Sequence, residues 1–246
     1  MRLAIISDIH EDYPSLQKIL KKLERLGYDE LVCLGDISGF SPVHYRYLKS
    51  RNASASLRLL REKCSVILAG NHDLHVSRRM PVHSTIFDFP SDWYELAVDK
   101  KSLLTKDEIW LHEEDLDPLY SPGDLEFLAT LPEYVILEDG GIRILLTHYA
   151  YPNLSGFGKN FYSWEGDFRS HFRFMESQRC QFSFIGHAHP RGYYVVTPGR
   201  FRHYSYRKIP LPPHPAVVGV PPVTRHRWRS GFCIFDTAAG TIQAAR

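Results

Sequence analysis

Five short apolar runs in this chain each lead into aspartate or histidine, and that repetition constrains the fold more than any one motif. The run 3–6 leads into Ser7-Asp8-Ile9-His10, the run 31–34 into Gly35-Asp36, and the run 66–68 into Gly70-Asn71-His72-Asp73. Farther on, 142–146 is followed by Thr147-His148, and 182–185 by Gly186-His187-Ala188-His189. Apolar runs of this length, bounded by Gly and polar residues, read as buried strands. A lone Asp or His at a strand end is usually a cap or turn residue. Five in series point to a layered α/β fold in which loops at one end of a rigid sheet converge on a site.

The intervening chain fits that plan. Asp12 can cap a helix with Pro14 in its first turn, and Leu16, Ile19, Leu20, Leu23 and Leu26 keep helical spacing until Gly27. Strand, helix, strand in this order implies a parallel pair. The stretch 43–63 reads as helical, broken near Asn52. The stretch 74–130 is predicted to hold helices around 92–103 and 106–112, and Ser121-Pro122-Gly123-Asp124 has the pattern of a helix start. Residues 134–137 and 142–146 flank Gly140-Gly141 as a hairpin. The stretch 152–170 suggests a long loop, and a helix is expected around 167–179. Strands follow at 182–185, 193–197, 232–235 and near Thr241. Seven prolines in 198–222 mark irregular chain or edge strand. With no repeat or linker, the 246 residues are read as a single domain carrying an acidic insertion at about 74–130, long enough to cap the site.

Charge is near balance at +2 but unevenly spread: 88–139 holds 15 of the 28 acidic residues, whereas 191–229 has eight Lys or Arg and no acid. The basic stretch, Arg200 and Arg202 included, is expected to help draw in an anionic substrate. Four cysteines without C-x-x-C spacing read as reduced packing residues. Together with the lack of a leader-like start or an apolar stretch of membrane-spanning length, they make a cytoplasmic protein the expectation.

The strand-end residues are the kinds that hold a metal. Asp8, His10, Asp36, Asn71, His148, His187 and His189 offer two carboxylates, one amide and four imidazoles. That mixture suits a borderline or hard first-row divalent ion, and seven donors exceed one tetrahedral site, so two ions are the economical reading. Manganese leads, with iron, zinc or nickel as alternatives.

The ordered set D-x-H, G-D, G-N-H-D, H, G-H-x-H, spread over residues 8 to 189, resembles the calcineurin-like metallophosphoesterase superfamily. The strings Gly35-Asp36-Ile37-Ser38-Gly39-Phe40-Ser41-Pro42 and Leu68-Ala69-Gly70-Asn71-His72-Asp73 look like its small prokaryotic branch. The resemblance implies a two-sheet β-sandwich flanked by helices, in four layers. It implies that Asp8, His10, Asp36 and His189 hold one ion, with Asp36 bridging to a second held by Asn71, His148 and His187. His72 would face the substrate as general acid, with Asp73 steering its imidazole. The expected reaction is phosphate mono- or diester hydrolysis by a hydroxide shared between the ions. The Asp-Arg-Gly that extends the G-D motif in Ser/Thr protein phosphatases is absent here. A small phosphorylated molecule or nucleotide is the preferred substrate. A nuclease, stacking bases on Tyr193, Tyr194, Phe201, Tyr204 and Tyr206, and a non-catalytic binding scaffold rank below it.

Overall fold

The computed structural model describes residues 1–225 and 230–246. The chain opens with β1 (Arg2–Ile6), α1 (Tyr13–Leu26), β2 (Glu30–Cys33), α2 (Ala53–Lys63), β3 (Val66–Ile67) and the short α3 (Asn71–Val76). After α4 (Val98–Thr105) and α5 (Pro122–Thr130) come β4 (Tyr134–Asp139), β5 (Ile142–Thr147), α6 (Arg169–Ser177) and β6 (Phe182–Ile185). Next are β7 (Tyr193–Thr197), β8 (Arg200–Tyr204), β9 (Lys208–Pro210), β10 (Ala216–Gly219), β11 (Phe232–Asp236) and β12 (Thr241–Ala245).

The strands form two six-stranded sheets, ordered β3-β2-β1-β11-β12-β9 and β4-β5-β6-β10-β7-β8. β1, β2 and β3 run parallel, as do β5, β6 and β10. Alternation along each strand decides which layer its side chains enter. Leu3 and Ile5 join Ile144, Leu146, Phe184 and Val218 in the core between the sheets. Ala4 and Ile6 face outward into a cluster with Leu16, Leu20 and Leu23 of α1 and Leu57 and Leu60 of α2. On the far side, Leu145, Ile185 and Val217 pack with Met175 of α6. The result is helix, sheet, sheet, helix, the four-layer α/β architecture expected. Among the described residues no helix is long and apolar enough to cross a membrane.

Local chemistry sets the elements much as their residues suggest. The Asp12 carboxylate accepts from the Ser15 N–H at the start of α1, and Asn52 accepts from the Ala55 N–H at the start of α2. Ser121 and Asp124 form a reciprocal capping box on α5. Cys33, Cys180 and Cys233 are buried and Cys64 is half-buried, all as free thiols.

Two readings need correction. The stretch 106–112 is not helical: Lys106 and Asp107 take left-handed φ values of 49° and 59°, ending α4, and Ile109 pairs with Gly158. Residues 198–222 are more than edge, since β10 lies in the interior between β6 and β7. The run 216–220 is free of proline, and Pro215 and Pro221 punctuate it on either side. The basic stretch meets the ligand-bearing loops at Arg191, two residues after His189, and at Arg225, which bonds the Asp12 carboxylate beside Thr224, whose N–H donates to the Asp8 carbonyl at 2.9 Å. β8 pairs Arg200 with Thr197, at the end of β7 opposite Tyr194, which pairs with Gly219, itself beside Ile185. Arg200 thus sits away from the end where β6 delivers its histidines, and Arg202, paired with Val195, lies three strands from β6 in the sheet order. Arg227 and Arg229, also counted in that stretch, lie outside the described residues. Tyr193 and Tyr194 are buried, with Tyr204 stacked on the former and Phe201 on the latter.

Candidate metal centre

All seven expected donors sit where parallel strands end: Asp8 and His10 after β1, Asp36 after β2, Asn71 after β3, His148 after β5, His187 and His189 after β6. The loops are laced together by their backbones. Ile9 and His10 N–H groups donate to the Asp36 carbonyl at 2.7 and 2.9 Å, and Gly186 N–H donates to the His148 carbonyl at 2.9 Å. The Asp8 carboxylate in turn accepts from the His187 N–H at 3.0 and 3.1 Å, so the first sheet grips a loop of the second.

Asp36 is central. Its Oδ2 lies 3.2 Å from His148 Nε2, 3.8 Å from His10 Nε2 and 4.0 Å from His72 Nε2. Asp8, His10 and His189 form one group, and Asp36, His148 and His187 another, each with its ligand atoms within 4.8 Å of one another. His10 Nε2 and His189 Nε2 approach to 3.2 Å. The other ring nitrogens are anchored: His10 Nδ1–H donates to the Gly39 carbonyl and His148 Nδ1–H to the Leu34 carbonyl, both at 2.9 Å. Those bonds take up Nδ1–H and leave Nε2 as the nitrogen turned toward the centre, the one that would bind a metal once deprotonated.

Electrostatics follow from burial and crowding. Burial works against charge on Asp8, but His189 beside it more than offsets this and holds the carboxyl at about 2. His10 and His187 are pushed down to about 3, burial being the main cause. His148 and His72 rise to about 9 despite burial, His148 through Asp36 and His72 through Asp115 and Asp36.

The donor set fits divalent cations. Asn71 Oδ1, His148 Nε2 and His187 Nε2 are buried without a hydrogen-bond partner, and an unsatisfied buried polar atom costs about 1–3 kcal/mol. These are the atoms that a metal would engage. Room is kept for them by Gly156 at φ 82°, where a Cβ would come within 2.6 Å of His187 Nδ1 and 2.9 Å of Asn71 Oδ1.

Asp73 does not steer His72. Its carboxylate accepts from the N–H groups of Gly70, Ile37 and Ser38 at 3.0–3.3 Å, because a side chain at the third position of a helix reaches back to the amides before it. The partner of His72 Nδ1 is Asp115 Oδ2, at 2.5 Å. Asp115 and His112, whose Nε2 is 3.4 Å from Asn71 Nδ2, were not legible as site residues. They lie in the acidic Leu111-His112-Glu113-Glu114-Asp115 run, with no strand before them to mark a convergent loop.

Comparison with known proteins gives the family and the fold. The family model for calcineurin-like phosphoesterases matches residues 1–191. An uncharacterised protein of Methanocaldococcus jannaschii is 24% identical over 148 residues, covering 59% of this chain and 48% of that protein, so the match spans about half of that relative's length. The fold is similar to that of a metallophosphoesterase from Sphaerobacter thermophilus (TM-score 0.65, 18% identity, 100% of this chain and 87% of that one). It is similar also to a hypothetical protein from Pyrococcus horikoshii OT3 (TM-score 0.60, 15% identity, 100% and 87%).

Proposed function

This chain belongs to the calcineurin-like phosphoesterase family, and on that premise we propose that it hydrolyses a mono- or diester of phosphate, carried by a small molecule or nucleotide, at a pair of divalent ions. Asp8, His10, Asp36 and His189 would hold one ion, and Asp36, Asn71, His148 and His187 the other. Ions so held supply Lewis acidity, lowering the pKa of bound water and offsetting phosphoryl charge. The observation that carries this reading is the trio of buried, unpartnered donor atoms on Asn71, His148 and His187, with the last two gathered about Asp36.

The chain's own part is to orient and to move a proton. His10 and His148 keep their Nε2 atoms turned inward through their carbonyl-bound Nδ1–H groups. His72, half-buried in the first turn of α3, turns Nε2 toward the same centre. As the bond between phosphorus and the leaving oxygen breaks, that oxygen keeps the electron pair and takes the proton from His72 Nε2, while water supplies the oxygen of the new P–O bond. General-acid help of this kind is worth about 10²–10⁴-fold.

The test is a screen of purified protein with manganese, iron, zinc and nickel against nitrophenyl phosphate and bis(nitrophenyl) phosphate, with elemental analysis alongside. Metal-dependent hydrolysis, abolished by a chelator, with two ions per chain is expected. Asp36→Asn should weaken both ions together. No hydrolysis of either ester with any of these metals would reject the proposal.

A further inference from the structure

The His72 imidazole and the carboxylate that grips it come from separate parts of the chain. Asp73 is occupied by three backbone N–H groups. In the loop after β2, Asp36 lies on the Nε2 side of the ring, 4.0 Å away, while Gly39, at φ 93°, packs against the Nδ1 side, where a Cβ would strike the ring. The carboxylate arrives instead on a strap, residues 108–116 of the acidic insertion. One end of the strap is tied to the 157–159 loop, where Lys159 N–H donates to the Glu108 carbonyl and Trp110 N–H to the Phe157 carbonyl, both at 2.8 Å. At the other end Leu116 N–H donates to the Phe40 carbonyl at 2.9 Å. Between these anchors His112 takes φ 60°, and Asp115 N–H closes a turn on its carbonyl at 3.1 Å. The His112 side chain is 3% exposed and that of Asp115 10%. The His112 ring packs 4.3 Å from that of His72. A strap pinned at both ends and packed in the middle holds Asp115 in one place.

We propose that Asp115 is the positioning residue for His72, so that the insertion completes the catalytic apparatus. The inference rests on His72 being the general acid. With Asp115 accepting from Nδ1–H, the ring is locked with Nε2 toward Asp36 and the reacting phosphate. When Nε2 gives its proton to the leaving oxygen, the imidazole is left neutral, with its Nδ1–H still on Asp115, and water re-protonates Nε2 before the next turnover. Neither the G-D loop nor the G-N-H-D loop supplies this contact from its own residues.

Asp115→Asn keeps the side chain's size and removes its charge, and Asp115→Ala removes the acceptor. For glycerol phosphate, whose alkoxide leaves poorly, kcat should fall about 10–100-fold in either variant, as is usual when the partner of a functional His is removed. For nitrophenyl phosphate it should change by less than about threefold, since that group leaves with little protonation. Bound metal should be unchanged, and Asp115→Asn added to His72→Ala should cost nothing further, because the pair acts as a unit. Nitrogen-15 NMR of the metal-free protein should show His72 protonated at Nδ1 in the wild type and a mixture of ring states in Asp115→Ala. Equal losses on both substrates, or additive losses in the double variant, while His72→Ala alone stays selective for the poor leaving group, would overturn the role of Asp115. If His72→Ala shows no such selectivity, the general-acid reading falls instead. An unchanged His72 spectrum in Asp115→Ala would then refute the positioning on its own.

Discussion

Five of the seven proposed ligands hold left-handed backbone: Asp8, His10, Asp36, His187 and His189 have φ of 56°, 44°, 53°, 63° and 46°. Such a conformation costs a non-glycine residue roughly 1–2 kcal/mol, although Asp and His tolerate it better than most. The chain accepts that cost where a strand must stop and aim a side chain sideways. His189→Gly and His189→Ala both remove the imidazole, yet the glycine variant should be more stable, by about 1 kcal/mol in urea unfolding of the metal-free protein. A glycine variant no more stable than the alanine one would mean that residue 189 carries no such strain. The ligand positions were readable because each couples an apolar run to a metal-binding residue type. Their backbone strain was not, since nothing in the residue names reports φ. Asp73 misled through adjacency: beside His72 in the chain, it points back at amides.

Among elements, the parallel strands that carry ligands were legible from apolar runs alone. β10 was obscured by the prolines around it, although its own residues, Ala216-Val217-Val218-Gly219, are as strand-like as any in the chain. The strap was illegible for another reason: it has no regular structure, and its position depends on bonds to loops some 40 or more residues distant. Helix α6 offers a test of how an element is docked. His171 accepts from the Tyr151 N–H at 2.9 Å, and its Nε2–H donates to Ser183 Oγ on β6 at 2.9 Å. Burial pushes its pKa down to about 3. The folded pKa is below the unfolded value, so between about 6.5 and 3 the unfolded chain binds a proton that the native state does not. Stability from this group is therefore full above about 6.5 and falls with pH below it, by up to about 1.4 kcal/mol per unit. Unfolding free energies at pH 7 and pH 5 should differ by roughly 2 kcal/mol more in the wild type than in His171→Gln. Identical pH slopes would show that His171 is not held neutral between α6 and β6.

At the scale of the whole molecule, the proposed ligands divide between the sheets: Asp8, His10, Asp36 and Asn71 leave strands of the first, and His148, His187 and His189 leave strands of the second. The two sheets lie like the covers of a closed book, with apolar pages such as Phe184 and Phe235 between them. Ions gripped from both covers would be its clasp. Anything that binds the closed form alone stabilises it by RT ln(1 + [L]/Kd), about 2.7 kcal/mol at a concentration 100 times Kd. The melting temperature should therefore climb with manganese, drop with a chelator, and respond weakly in Asp36→Asn; a midpoint indifferent to every divalent ion would mean that nothing fastens the covers. Where the clasp exists, the melting curve is itself a binding assay, able to rank metals for this protein before any substrate has been found.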